Sequence, residues 1–264
     1  MSQGAKIVPR RSQERGHVEY SWLKSFHTFS FATYQDWNHE QHGPLRVINE
    51  DRVAAHTGFG THGHREFEIF SYIVSGQLEH QDSMGNTEIL SRGSVQLTSA
   101  GTGIRHSEKA YGAKDAHFLQ IWSLPSTPRL TPKYYTRRFT DEEKTDAWVR
   151  VVAPAGTKGA SQEREADGPA PVHSALTMYA TLLNPGKTVS QAMQGAKGYV
   201  QVVQTSGYNT AKATGAAVRL SSGDQEVELK EGDGAYLTFP SGSFNVDVEN
   251  VGERSAEVIL FDLE

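Results

Sequence analysis

Residues 68–76, EIFSYIVSG, and residues 199–207, YVQVVQTSG, can be laid on one another without a gap. Each is a short, largely apolar run closed by Ser-Gly, the pattern of a β-strand entering a turn. A second ungapped block follows, in which Gly93, Gly101, Gly103 and His106 lie over Gly232, Pro240, Gly242 and Asn245. Each half thus repeats a strand, a Gly turn, a strand and a tight turn into another strand, which predicts a duplicated small barrel.

The same punctuation extends outward, with GAYLTF (234–239) and EVILFDL (257–263) set between turn residues and little helical periodicity anywhere. The chain therefore reads as all-β, two tandem antiparallel β-barrels of jelly-roll type with few short helices. A length of 264 residues suits two domains. The pattern is interrupted between residues 125 and 170, by PSTPRLTPKYY (125–135) and by APAGTKGASQEREADGPAP (153–171), the latter expected to be a mobile loop. Residues 1–130 and 131–264 are the expected domains.

Thirty-one acidic and 26 basic residues are interspersed along the chain, so no basic stripe suggests a nucleic-acid groove and no polybasic patch a membrane surface. The opening MSQGAKIVPRRSQERG has no apolar core of signal-peptide length, and no later run approaches the ~18 apolar residues of a membrane span. A cytoplasmic protein is expected. With no cysteine, any metal must be held by imidazole and carboxylate, a donor set suited to Fe, Ni, Cu, Co, Mn or Zn.

Ten of the eleven histidines precede residue 120, which places function in the first half. Within GFGTHGHREFE, His62 and His64 are two apart, so on a strand both imidazoles point to one face and can chelate one ion. AGTGIRHSE repeats that spacing with His106 and Glu108. Two such pairs on neighbouring strands would converge three imidazoles and a carboxylate on the barrel interior, with coordination positions left open. The repeat sets Met193, Gly195, Asn245 and Asp247 at the equivalent positions, which predicts one metal rather than two. Glu66 and Glu68 share the strand parity of the histidines and are candidates for an alternate ligand or for a group orienting an imidazole. Parity sends Arg65 and Arg105 to the opposite face, while no spacing ties His56, His80 or His117 to the site. Phe59, Phe67, Phe70, Tyr72 and Trp122 are candidate walls for a flat apolar ligand.

The segments GFGTHGHREFEIFSYIVSGQLEHQDSMGN (58–86) and TSAGTGIRHSE (98–108) resemble the two cupin motifs in the version used by pirins. SFHTFSFATYQDWNHEQHGPLRVINED (25–51), LQIWSLP (119–125) and PKYYTRRF (132–139) are similar to the same family, and the likeness continues more loosely through VHSALTMYATLL (172–183). The resemblance implies a bicupin whose first barrel binds one divalent metal through His62, His64, His106 and Glu108, and whose second lacks ligands. Iron is the expected metal, with Ni, Cu, Co, Mn and Zn as alternatives. Glu68 is the reserve ligand, since many cupins use the glutamate after His-x-His. Many cupins also open their second motif with Pro where this chain has Gly101, which the pirin branch favours.

EHQDSMGN and AGTGIRHSE look most like the microbial pirins that act as quercetin 2,3-dioxygenases. The implied activity is dioxygenation of a flavonol with ring opening and release of carbon monoxide, Glu108 serving as both ligand and proton acceptor. The implied partners are a small aromatic substrate and dioxygen. The alternative is a non-enzymatic metal or redox sensor that binds a protein such as a transcription factor, with nuclear location in a eukaryote.

Overall fold

The computed structural model describes residues 4–240 and 244–264, so Gly242 of the second repeat block lies outside the described residues. Strands dominate, and the described helices are one turn each, Ser12–Glu14 and Asp141–Lys144. Among the described residues no helix is long and apolar enough to cross a membrane.

The chain forms two compact units, one of Gly16–Phe139 with Val152–Ala175, the other of Met1–Arg15, Thr140–Val151 and Leu176–Glu264. The division is therefore not a single cut after residue 130. Strand pairing explains the difference. Lys6–Arg10 adds to the edge strand Gly234–Thr238 of the C-terminal unit, whereas Lys133–Arg138 pairs with Ser94–Ser99 of the first. The expected mobile loop is also fastened. The Arg137 guanidinium donates to the carbonyls of Ser161, Glu163 and Arg164 at 2.8, 3.1 and 2.9 Å, and the Tyr135 hydroxyl donates to Gln162 Oε1 at 2.8 Å.

The first unit is built on an antiparallel nine-stranded sheet. Its axis is the pair Gly58–Ser75 and Ser94–Ala110, which stay paired along most of their length. Ala116–Ser123 flanks the first of these and Gln77–Asp82 the second. Leu45–Val53 and Leu23–His27 continue the sheet from Ala116–Ser123.

Inward-facing residues fall in layers that can be followed two residues at a time. Leu23, Val53, Ile73, Leu78, Ala110 and Phe118 belong to one apolar cluster. Two positions further along the same six strands stand Ser25, Asp51, Ser71, His80, Glu108 and Gln120, all at most 8% exposed. Beyond that belt a second apolar cluster, built on Ile69, Ala100 and Ile104 with Phe67 and Trp122 packed against it, closes the other side. Buried polar groups are tolerated only when hydrogen-bonded or otherwise compensated, so a polar belt between two apolar layers marks where this barrel departs from simple packing.

The second unit sets Lys6–Arg10, Gly234–Thr238, Lys197–Val202, Ala256–Leu263 and Leu176–Leu183 side by side, and carries a four-stranded sheet of Thr188–Met193, Phe244–Asn250, Ala217–Ser222 and Gln225–Lys230. Its core is apolar, with Val189, Met193, Val246 and Val248 among its members. The turn glycines of the repeat keep their conformation, with φ of 82° at Gly93 and 88° at Gly232. The strand that follows is displaced by one residue relative to the repeat alignment. Asn245 is exposed and Asp247 only half-buried, while Val246 and Val248 are fully buried.

Candidate metal centre

His62 lies directly opposite His106 in the strand pair, and His106 lies opposite Asp82 on its other side. Residues paired across antiparallel strands point to the same face, so the register alone gathers these side chains. The imidazole rings of His62, His64 and His106 have centroids 4.6 to 4.8 Å apart. Their ring nitrogens form one candidate metal-binding group, and His80, His106 and Glu108 form a second that shares His106.

Hydrogen bonds fix the orientation of the donors. His62 Nδ1 is 2.8 Å from the carbonyl of Gly60. A carbonyl only accepts, so Nδ1 carries the proton and the Nε2 lone pair faces inward. That lone pair meets His106 Nε2 at 3.2 Å. Two nitrogens that share one ion, each at about 2.1 Å, stand roughly 3 Å apart when they occupy adjacent positions. The His106 Nδ1 and the His80 Nδ1 are buried without a hydrogen-bond partner. Close-facing imidazole nitrogens together with stranded buried ones suit a cation better than they suit any pair of neutral tautomers.

Glu108 is 2% exposed and is gripped from two sides. The Ser71 hydroxyl donates to one carboxyl oxygen at 3.1 Å and the Gln120 amide to the other at 2.8 Å. Desolvation, reinforced by neighbouring histidines, lowers His64 to about 4 and His106 to about 3. Both rings are therefore neutral at pH 7, the form that coordinates metal.

Glu66 and Glu68 do not join the cluster. The strand register shifts between His64 and Glu66, where Glu66 adopts φ of 68°. This β-bulge inverts the inward parity. Before it the even residues His62 and His64 face in, and after it the odd residues Ile69, Ser71 and Ile73 do. Glu66 accepts from the backbone N–H of Arg129 at 2.8 Å. Glu68, fully buried, accepts from the Ser99 hydroxyl and the His173 backbone N–H, and burial raises its carboxyl above the usual range. The same inversion removes Phe70 and Tyr72 from the pocket into the core. Phe59 and Trp122 do line the pocket, and Phe67 packs against Trp122 with ring centroids 5.2 Å apart. Arg65 and Arg105 are exposed, as parity required.

His80 was the residue not tied to the site by spacing that belongs beside it. Its ring lies 5.3 Å from that of His106, and its Nε2 meets Asp82 at 3.2 Å. The signal was present as His80-x-Asp82, the same two-residue spacing as the other pairs. Ser25 with His27 and Asn49 with Asp51 repeat that spacing, whereas Ser71 and Gln120 carried no comparable motif. His117 is buried elsewhere against Glu50 at 3.1 Å, and His56 occupies a turn with φ of 64°. The Gly101 conformation, φ 45°, is one proline cannot adopt, and the Leu130 carbonyl occupies the space of a β-carbon there, which accounts for the departure from the Pro of many cupins.

Comparison with known proteins places this architecture. Residues 8–123 match the Pirin family model. A protein of Escherichia coli K12 named quercetin 2,3-dioxygenase is 40% identical over 200 residues, covering 75% of this chain and 81% of its own. The chain belongs to the pirin family. Among solved structures, the E. coli pirin YhhW in complex with nickel(II) superposes with a TM-score of 0.80 at 34% identity, covering 98% of this chain and 99% of that one. A quercetin 2,3-dioxygenase from Acinetobacter baumannii shares the fold, with a TM-score of 0.65 at 17% identity, covering 99% of this chain and 79% of that one. The three-histidine cluster with its adjoining glutamate offers this pirin a donor set compatible with a metal ion.

Proposed function

We propose that this pirin is a metal-dependent dioxygenase that cleaves flavonols such as quercetin, using one divalent ion held by His62, His64, His106 and Glu108. One observation carries the reading. The converging histidines and Glu108 share a pocket with the aromatic side chains Phe31, Phe59 and Trp122, so donors and a flat apolar wall face the same space. Iron is the metal proposed first, and nickel is compatible with the same donors. A bound divalent ion supplies Lewis acidity, which lowers the pKa of the flavonol 3-hydroxyl.

The protein supplies the remainder. Phe59 and Trp122 offer ring faces and edges against which a flavonol can lie. Ser71 and Gln120 keep the Glu108 carboxyl in one orientation, from which it takes the 3-hydroxyl proton. The apolar layers on either side of the polar belt limit competing water. In the overall reaction both atoms of dioxygen enter the organic product, the central ring opens, and C3 leaves as carbon monoxide. Metal-loaded protein incubated aerobically with quercetin should bleach the flavonol absorbance with matching oxygen uptake, and His62→Ala should abolish both. Loaded wild-type protein that consumes quercetin no faster than buffer would rule out the activity.

A further inference from the structure

One wall of the same pocket is polar and has no role in holding the metal. Ser25 pairs directly with Asp51, and His27 with Asn49, across the strands Leu23–His27 and Leu45–Val53. All four side chains are buried and line the pocket. His27 Nδ1 meets the Asn49 side-chain oxygen at 2.9 Å. That oxygen only accepts, so Nδ1 is the donor. Asp51 Oδ1 is buried with no hydrogen-bond partner. The pocket lining contains neither lysine nor arginine to pair with that carboxyl. A buried acceptor left unmade costs free energy that a ligand donor recovers.

We propose that Ser25, His27, Asn49 and Asp51 form a hydroxyl-recognition subsite, so that the preferred substrates are aromatic rings bearing several phenolic hydroxyls. The inference rests on the reading that the adjoining site takes a flavonol, and it adds the substrate class. Asp51 is the main acceptor. Ser25 and the His27–Asn49 pair hold the remaining polar surface in place, so the subsite is built before the ligand arrives. A purely apolar aromatic would leave these groups desolvated and unpaired, and a site of that kind discriminates strongly against ligands that lack the hydroxyl.

The test is anaerobic titration of metal-loaded protein with quercetin and with 3-hydroxyflavone, which keeps the 3-hydroxy-4-keto edge and lacks the other hydroxyls. Wild type should bind quercetin at least about tenfold more tightly, as expected for two or more hydrogen bonds to buried acceptors. Asp51→Leu should weaken quercetin about ten- to a hundredfold while changing 3-hydroxyflavone less than about threefold. Asp51→Asn, which retains an acceptor, should fall between. Should the leucine variant not fold, the asparagine variant and Ser25→Ala carry the comparison. Equal weakening of both ligands, or no preference in wild type, overturns the subsite. Preference without oxygen uptake keeps the subsite and overturns the dioxygenase, whereas turnover without preference does the reverse.

Discussion

Gln120→Leu isolates the support of Glu108 from Glu108 itself. Leucine approximates the volume of glutamine, so the change removes the hydrogen bond to Glu108 and a longer 3.4 Å contact that Gln120 accepts from Ser71, and leaves little cavity. The lost bond is 2.8 Å long, reaches a carboxyl that is 2% exposed, and leaves Ser71 as the other donor. Hydrogen bonds to charged groups contribute about 1.5–3 kcal/mol, and loss of a group that orients a metal ligand typically weakens metal binding about 10- to 100-fold. The two scales agree, since a factor of ten is about 1.4 kcal/mol. Competition against a chromophoric chelator at fixed pH reads the affinity directly. Thermal unfolding gives a second measure, because metal at about a hundred times its dissociation constant stabilises by about 2.7 kcal/mol, and a tenfold weaker site loses about half of that. A Gln120→Leu protein with wild-type metal affinity and an undiminished metal-induced rise in Tm would refute Glu108 as a ligand positioned by Gln120.

Three further outcomes follow from the geometry. Gly101→Ala should lower Tm by several degrees, because φ of 45° is strained for a residue with a β-carbon and the Leu130 carbonyl fills its place; Gly85→Ala, with φ of 90° but open space, should cost less. Burial, opposed by Ser25 and reinforced by Glu108 and Glu50, pushes the Asp51 carboxyl up to about 7. The folded protein then binds this proton more tightly than the unfolded chain, so ionising Asp51 destabilises the metal-free fold progressively from about pH 4 to pH 7. Asp51→Asn should therefore match wild type near pH 4 and exceed its stability near pH 7 in paired denaturant titrations; a constant difference across that window would be contrary. His80→Phe should raise chelator sensitivity without removing the site, because His80 packs on His106 rather than on the His62–His64 pair; a protein that no longer binds metal would show His80 to be a ligand.

Much of the first barrel was legible because its chemistry follows strand periodicity. His62 with His64, and His106 with Glu108, share a face wherever two-residue alternation holds, and the glycine turns of the repeat kept their geometry at Gly93 and Gly232. What escaped was whatever depended on a break in that alternation. No residue in HREFE declares the bulge at Glu66, so parity places Glu68 with the histidines, and nothing separates Phe70 and Tyr72 from the aromatic residues that reach the pocket. The one-residue displacement that buries Val246 and Val248 was equally silent. Long-range partners were also out of reach, since Gln120 and Asp51 become pocket residues only through strands that pair far along the sequence.

The bulge at Glu66 has a consequence for how this segment tolerates variation in length. Because inside and outside exchange there, and the register also shifts between Phe59 and His62, the strand Gly58–Ser75 carries His62 and His64 in an even frame and Phe59 and Ser71 in an odd one on either side of it. Deleting or inserting a single residue between His64 and Ser71 would put these two in one frame, and would turn either the histidines or the Ser71 prop away from the cavity. Indels, which surface loops absorb readily, should thus be excluded from residues 65–70 even where the individual side chains are freely exchangeable.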